Sequence, residues 1–278
     1  MMKISVVSYS VSHQPGTLAK WEARLLNEIK NLMSGGAKII LYPEYFLMGL
    51  SEYYPGELKD QYRKVAEYTQ LTLLPKLIAV FKGKDILVCL GSGPRESEEK
   101  LFNSSPLWVN DTWSFQDKIH LTPWEVDFSA GTQVNFFLFH DLRVACLICF
   151  DIEQPGLALK LKRSGVDLVL VPSATTNKNG NQRVNRCASA RSIELGAVVV
   201  TCPLVGKSKC ELIDLNEGRQ GFFLPAQEAV RVEQEQFSEY SDDLQVVNHY
   251  EIEVNMLREL KVKDNETKPY FKEDLILP

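Results

Sequence analysis

The sequence contains no G-x-S-x-G, the strand-to-helix elbow that presents a serine nucleophile in α/β-hydrolases. Its Gly91-Ser92-Gly93-Pro94 stretch lacks the flanking pattern and reads as a turn. Histidine is scarce: His13, His120, His140 and His249 are scattered along the chain and point to no Ser-His-Asp set. Nor do they supply the second ligand pair that Cys146-x-x-Cys149 would need to hold zinc. On a strand, residues three apart point to opposite faces, so this CxxC does not converge on one ion and no metal is expected. Glycine-rich phosphate loops are missing, which argues against ATP and dinucleotides, and no cofactor is expected.

Long hydrophobic runs are also absent. None approaches the roughly 20 apolar residues of a membrane span, so no membrane partner is expected. The opening MMKISVVSYSVSHQPG has one basic residue and an apolar stretch broken by serines, without the length or cleavage pattern of a signal peptide. A cytoplasmic location follows as the expectation. Positive charge is not concentrated anywhere, and the net charge of −5 argues against a nucleic-acid surface. The short group Lys160, Lys162 and Arg163 suits a solvated helix face. The six cysteines sit mostly in apolar runs and read as reduced core thiols. In that setting the Asn-x-Ser/Thr sites at Asn103, Asn110 and Asn265 are chance matches.

What is present is a globular composition. The chain has 278 residues, 45% of them hydrophobic and 24% charged, enough to bury a large core. No repeat, low-complexity tract or Pro/Gly/Ser-rich linker divides it, and residues 1–278 read as one domain. Strand and helix signals alternate. Lys3–Tyr9 is strand-like, and Trp21, Leu25, Leu26, Ile29, Leu32 and Met33 fall at helical spacing before Gly35-Gly36 stops the helix. Ala37–Tyr42 is a buried strand, and Glu57–Phe81 is helical with a break at Pro75. Strands are expected over 85–90, 106–110, 112–117, 134–139, 142–149, 166–171 and 197–202, with a turn at Asn110-Asp111. Helices are expected over 153–164 and 181–195. The pattern is mixed α/β.

Three charged or nucleophilic residues fall at or just past strand ends, where open α/β sheets place ligands. They are Glu44 in LYPEYF, Lys118 in QDKIHLTPWE and Cys149 in VACLICF. Together they can form a hydrolytic apparatus. A carboxylate takes the thiol proton, the thiolate attacks a carbonyl or nitrile carbon, and an ammonium holds the charge that develops. Cys149 needs a partner that lowers its pKa, which Lys118 can do, or one that takes its proton, which Glu44 can do.

The stretches LYPEYFLMGL (41–50), QDKIHLTPWEVD (116–127), LICFDIEQPGLA (147–158) and RVNRCASARSIEL (183–195), in this order and spacing, resemble the nitrilase or carbon-nitrogen hydrolase superfamily. The likeness covers about the first 205 residues. It implies a four-layer αββα sandwich, with Glu44 as general base, Lys118 as the cation stabilising the intermediate, Cys149 as nucleophile and Glu125 as a second glutamate in the pocket. It also implies a homodimer or higher homo-oligomer. Arg191 and Glu194 match a structural pair of the family or form an exposed i,i+3 ion pair. His120 supports Lys118 structurally. The oxyanion is expected to be held by Lys118 and the Phe150 N–H.

Two departures stand out. After the nucleophile most members read C-x-D-x-R-x-P, whereas here Glu153 takes the Arg position, giving CFDIEQP. That acid resembles a branch sometimes fused to an acetyltransferase domain. The second is the tail beyond Lys207, with an acidic 228–243 and a polar 261–270. One or two strands and a C-terminal arm, about 245–278, packing on a neighbouring subunit are expected there. Pocket walls are assigned to Tyr45, Trp124, Phe150, Thr175 and Asn177, the aromatics flanking a small acyl group and the polar pair binding its far end. No Arg or Lys of these motifs offers a clear carboxylate clamp. The favoured reading is an amidase acting on a small amide. A nitrilase or N-carbamoyl hydrolase is the alternative of the same chemistry, and a silent binding or scaffold protein the alternative of another class.

Overall fold

The computed structural model describes residues 1–227, 230 and 233–262. Its strands build two main sheets. The first uses β1 (Met2–Ser8), β2 (Ile39–Leu41), β3 (Leu87–Cys89), β4 (Gly93–Ser97), β5 (Lys100–Val109) and β6 (Thr112–Asp117). The second uses β7 (Phe136–Phe139), β8 (Leu142–Cys146), β9 (Leu168–Ser173) and β10 (Val198–Pro203). A small ribbon, β11 (Gly206–Lys207) with β12 (Leu215–Asn216), follows; β13 (Gly221–Phe223) and β14 (Glu235–Phe237) then extend the second sheet, and β15 (Val246–Ile252) closes the first. β1, β2 and β3 run parallel at the heart of one sheet, and β8, β9 and β10 do so in the other.

Side-chain alternation along β1–β3 makes the layers. Ile4, Val6, Ile39, Leu41, Leu87 and Cys89 point into a core shared with Val144, Cys146, Leu168, Leu170 and Val200 of the second sheet. Their neighbours Val7, Ile40 and Val88 point the other way, onto Trp21, Leu25 and Ile29 of α1 (Leu18–Ser34), Val65 of α2 (Leu58–Tyr68) and Leu77 and Phe81 of α3 (Leu74–Phe81). Leu157 and Leu161 of α4 (Pro155–Ser164) and Val184 and Ala188 of α5 (Lys178–Leu195) cover the second sheet. The result is helix, sheet, sheet, helix, the expected αββα sandwich. Across the inner layer the Cys202 thiol donates to the Val7 carbonyl at 3.1 Å. All six cysteines carry free thiols. Among the described residues, no helix is long and apolar enough to cross a membrane.

Turn chemistry explains several joints. Asn110 and Asp111 both take positive φ (51° and 60°), as a two-residue hairpin between β5 and β6 requires, and the expected turn is there. Glu98 and Glu99 do the same between β4 and β5 without the Asn or Gly that usually marks such a turn, and β4 is a polar edge strand. Hence a strand lies at Gly93–Ser97, where the sequence reads as a turn; the turn itself is confined to Gly91 (φ 63°) and Ser92. The long helical region is broken as expected but earlier, by a π-helical turn at Thr69–Leu73, and Pro75 sits in the first turn of α3, where no N–H is needed.

The tail differs from expectation. Val246–Ile252 is not an arm reaching a neighbour: it pairs antiparallel with β1 from Met2↔Ile252 to Ser8↔Val246. Without it β1 would present an unpaired edge, and Tyr250 and Ile252 are buried in the core. α6 (Val254–Val262) follows, burying Leu257 and Leu260. The remainder of the expected arm, including Asn265 and the closing DLILP, lies outside the described residues, as do four positions of the acidic 228–243 stretch.

Gly91 supports the loop that carries Glu44. At its positive φ, a Cβ would stand 2.1 Å from the Pro43 carbonyl oxygen and 2.8 Å from the Phe46 Cβ. We expect Gly91→Ala to lower stability by more than about 2 kcal/mol, left-handed strain and overpacking adding. Urea unfolding of the two proteins measures the difference.

Candidate active site

The carboxyl ends of the central strands converge on one buried cluster. Glu44 follows β2, Lys118 follows β6, Cys149 follows β8 and Ala174 follows β9. Glu44 and Lys118 are only 1% and 2% exposed, so their charges must be compensated by buried partners. The Lys118 Nζ donates to Glu44 Oε1 at 2.7 Å and to Glu125 Oε2 at 2.8 Å. Glu44 Oε2 accepts the Ala174 N–H at 2.9 Å. Glu125 also accepts the Thr122 N–H and hydroxyl, both at 2.7 Å, and the Tyr45 hydroxyl.

Asn103 joins the two acids from below. Its Nδ2 donates to Glu44 Oε1 and to Glu125 Oε1, each at 3.0 Å, and its Oδ1 accepts the Ser92 hydroxyl at 2.7 Å. The Ser92 Oγ in turn accepts the Tyr45 N–H at 3.1 Å, steadying a residue held at φ 56°. Sequence reasoning passed over both. Asn103 was accounted for as a stray Asn-x-Ser match and Ser92 as part of a turn. The signal that could have found Asn103 is its place within β5, between Leu101-Phe102 and Pro106-Leu107, where a buried polar side chain must find partners.

Electrostatics assigns protonation states. Burial pushes the Glu44 carboxyl above the ordinary carboxylate range, against the pull of the Lys118 ammonium. Burial works against the charge on Lys118, but Glu44, the neighbouring Cys149 and Glu125 outweigh it and hold the ammonium firmly protonated. Glu125 is also penalised by burial, yet Lys118 and the Thr122 N–H keep it below its usual value. Burial and the Glu44 charge push the Cys149 thiol well up, and Lys118 pulls it back only in part. The expectation that Lys118 would lower the thiol pKa is therefore met in direction and overruled in sum. Cys149 rests as a thiol.

The nucleophile's backbone is set apart from the strand. β8 ends at Cys146, not at Cys149, and Cys149–Glu153 form a 3₁₀ turn with Cys149 at φ 46°. The fully buried Asp151 carboxylate stands where the ladder stops. It accepts N–H bonds from Ile148 at 3.3 Å, Ile119 at 3.3 Å and His120 at 2.8 Å, and it lies 3.1 Å from His120 Nδ1. One side chain thus ties the Cys149 turn to the segment after Lys118. Cys146 stays in the core against Cys89, so the two thiols of the CxxC face different surroundings. The Cys149 Sγ points at the Ala174 carbonyl, 3.6 Å away.

Residues 4–236 match the profile described as carbon-nitrogen hydrolase. The chain belongs to the carbon-nitrogen hydrolase family. A probable hydrolase of Bacillus subtilis, YhcX, is 31% identical over 198 residues, 67% of this chain but only 37% of YhcX, so the chain spans little more than a third of that relative. An (R)-stereoselective amidase of Pseudomonas is 31% identical over 202 residues, 72% of this chain and 70% of the amidase. In fold, Saccharomyces cerevisiae Nit3, a member of branch 10 of the nitrilase superfamily, superposes with a TM-score of 0.74 at 19% identity, covering 99% of this chain and 97% of Nit3. An amidase from Nesterenkonia sp. AN1, solved with butyramide, gives 0.67 at 17% identity over 93% of each chain.

In this carbon-nitrogen hydrolase a cavity of about 290 Å³ opens onto Glu44, Lys118 and Cys149. Tyr45, Trp124, Phe150, Thr175 and Asn177, the five residues assigned to its walls, all line it. They differ in what they have left to offer. Trp124 is 64% exposed at the mouth. The Thr175 hydroxyl is spent on the Glu217 carbonyl at 3.0 Å, and the Asn177 Oδ1 caps α5 by accepting the Gly180 N–H at 3.0 Å. Glu153 and Arg183 line it as well, paired at 2.9 Å, so an Arg of the RVNRCASARSIEL stretch, where no clear carboxylate clamp is legible in the sequence, does reach the cavity. Arg191 and Glu194 form their i,i+3 bond at 2.9 Å, with Arg191 buried and Glu194 exposed. A larger depression of about 550 Å³, lined by residues including Lys59, Arg63, Glu96 and Asp127, has no cysteine in its wall.

Removing Lys118 leaves two buried carboxylates facing each other. We expect Lys118→Met to cost about 3–5 kcal/mol of stability at neutral pH. In that variant the folded-state pKa values of Glu44 and Glu125 rise above their unfolded values, so the penalty is full above the raised values and shrinks as pH falls toward the unfolded ones. Urea unfolding of both proteins at pH 5 and pH 8 measures this; an equal loss at both would contradict it.

Proposed function

We propose that this chain is an amidase that releases ammonia from a small carboxamide through a thioester on Cys149. The observation that carries the reading is the placement of the Glu44 carboxylate, fixed by Lys118 and the Ala174 N–H, beside a Cys149 thiol that burial keeps protonated. A thiol in that state needs a base at the moment of attack, and Glu44 has the raised pKa of one.

The steps follow from the geometry. Glu44 takes the Cys149 proton as the sulfur attacks the carboxamide carbon. The oxygen that becomes negative is held by two donors. Of the three N–H bonds of Lys118, two go to carboxylates, leaving the third for the oxyanion. The Phe150 N–H lies in the first turn of the 3₁₀ segment, where backbone donors have no intrahelical partner. When the tetrahedral intermediate collapses, the C–N bond breaks and the glutamic acid at position 44 returns its proton to the leaving nitrogen. Ammonia departs. Water then adds to the thioester carbonyl, giving a proton to Glu44, and as the carboxylic acid forms and the sulfur leaves, Glu44 passes that proton back to Cys149. Glu125, bound to Lys118, Asn103, Tyr45 and Thr122, keeps the ammonium aimed.

Brief iodoacetamide treatment followed by intact-mass measurement, with an ammonia-release screen over small amides and nitriles, tests this. We expect one fast modification, lost in Cys149→Ala and slowed at least about tenfold in Glu44→Gln, and release of ammonia from amides. Nitrile turnover without amide turnover would favour a nitrilase; labelling no faster than at the other five cysteines, with no turnover, would leave a binding protein.

The raised pKa of Glu44 has its own consequence. The base must be deprotonated in the free enzyme, so kcat/KM falls as pH drops through that value, and the acid limb is expected above the ordinary carboxylate pKa of about 4.5. A pH–rate profile with its limb at or below 4.5 would remove Glu44 from the role.

A further inference from the structure

We infer that Asn103 is a positioning residue for the reaction: by filling one oxygen of Glu44 it directs the Cys149 proton to the other, Oε2. This rests on the amidase reading of the same site. An ionised carboxylate offers about four acceptor sites. Glu125 has none to spare, because Lys118, the Asn103 amide, the Tyr45 hydroxyl and both the N–H and the hydroxyl of Thr122 donate to it. Glu44 is filled unevenly. Its Oε1 accepts Lys118 and Asn103, whereas its Oε2 accepts the Ala174 N–H. The fourth site, on Oε2, is left to the Cys149 thiol, which hydrogen-bonds to Glu44 and whose Sγ lies 3.6 Å from the Ala174 carbonyl. Of the two acids, only Glu44 can take a proton without giving up a bond.

Asn103 is fully buried in β5, and its orientation is fixed. Its Oδ1 accepts the Ser92 hydroxyl, whose oxygen is itself bonded by the Tyr45 N–H. Flipping the amide would turn Oδ1 onto two carboxylates. Both Nδ2 hydrogens are therefore committed, one to each acid, at 3.0 Å. The Asn103 carbonyl also accepts the Lys118 N–H at 2.8 Å, so one residue holds the lysine by its main chain and both acids by its side chain. An amide can do this where a hydroxyl cannot, since it brings two donors and no charge. With Oε1 held by Lys118 and Asn103, the S–H bond breaks toward Oε2 as the sulfur attacks. The same oxygen returns that proton to the leaving nitrogen when the C–N bond breaks, while the ammonium stays bound to the other. The titratable groups facing Glu44 are Lys118, Glu125, Cys149 and Tyr45. Burial raises the Glu44 pKa, Lys118 opposes the rise and Glu125 adds to it. A donor to the charged form lowers a carboxyl pKa, so the Asn103 amide acts with Lys118, and its removal drives Glu44 further up.

The test compares the wild-type protein, Asn103→Leu and Ser92→Ala across pH by two readouts: kcat/KM for butyramide, and the rate of Cys149 alkylation by iodoacetamide, which needs no amide turnover. In Asn103→Leu the acid limb of both profiles is expected to move up by at least about one pH unit, a loss of about tenfold at pH values below the limb. Ser92→Ala keeps the amide and both acids but frees the amide to turn, and a smaller shift in the same direction is expected. A loss uniform across pH with the limbs unmoved, as any loosening of the fold would give, would overturn the assignment. If Asn103→Leu fails to fold by circular dichroism, Ser92→Ala decides alone: an upward shift supports the assignment and an unmoved limb overturns it. A shifted alkylation limb, with no wild-type turnover of butyramide or of any amide in the ammonia-release screen, would sustain the role of Asn103 while sinking the amidase reading. Turnover of butyramide with both limbs unmoved would sink the Asn103 assignment alone.

Discussion

The buried ammonium of Lys118, shared by Glu44 and Glu125, is the constraint on which the site depends. Two carboxylates this close would not both ionise in an apolar interior, and a lone ammonium there would not stay charged. Together they leave one net negative charge, and hydrogen bonds from Asn103, Tyr45, Thr122 and Ala174 spread it. Such an arrangement contributes little net stability when weighed against well-packed apolar side chains. What it supplies is a carboxylate and an ammonium fixed side by side, 2.7 Å apart, in the cavity that Cys149 also lines.

The same arrangement governs the nucleophile. Burial and the Glu44 charge raise the Cys149 thiol further than Lys118 lowers it. Many reactive cysteines are activated in advance by a nearby cation; in the proposed reaction the proton stays on Cys149 until Glu44 takes it. The backbone is shaped for this. Cys149 sits at φ 46°, a conformation that costs about 1–2 kcal/mol for a non-glycine residue, and Asp151 holds it by taking N–H bonds from both the nucleophile turn and the Lys118 segment. The two sheets of the sandwich are thereby locked together at the point where their catalytic residues meet.

How much of this the sequence disclosed follows from the range of the interactions. Glu44, Lys118 and Cys149 were legible because each ends an apolar run within a recognisable stretch. The alternation of strand and helix was legible for the same local reason. Asn103 was not, since its meaning lies in contacts with Glu44 and Glu125, 59 and 22 residues away. Arg183 lies in the RVNRCASARSIEL stretch, but only the fold brings the second turn of α5 to the end of the Cys149 turn. The strand at Val246–Ile252 was hidden by the polarity of the tail: its pairing partner is β1, at the other end of the chain. The Glu98-Glu99 hairpin lacked any marker, because two glutamates adopt its positive φ without glycine.

The central claim, that Cys149 rests as a thiol because burial and the Glu44 charge outweigh the pull of Lys118, is tested most directly by thiolate absorbance at 240 nm from pH 5 to 10, taken as the difference between wild-type protein and Cys149→Ser. The account predicts no ionisation attributable to Cys149 below about pH 9, the ordinary range for a free thiol being near 8.5. A one-thiolate step below pH 8 would show a preformed Lys118-stabilised thiolate and contradict it.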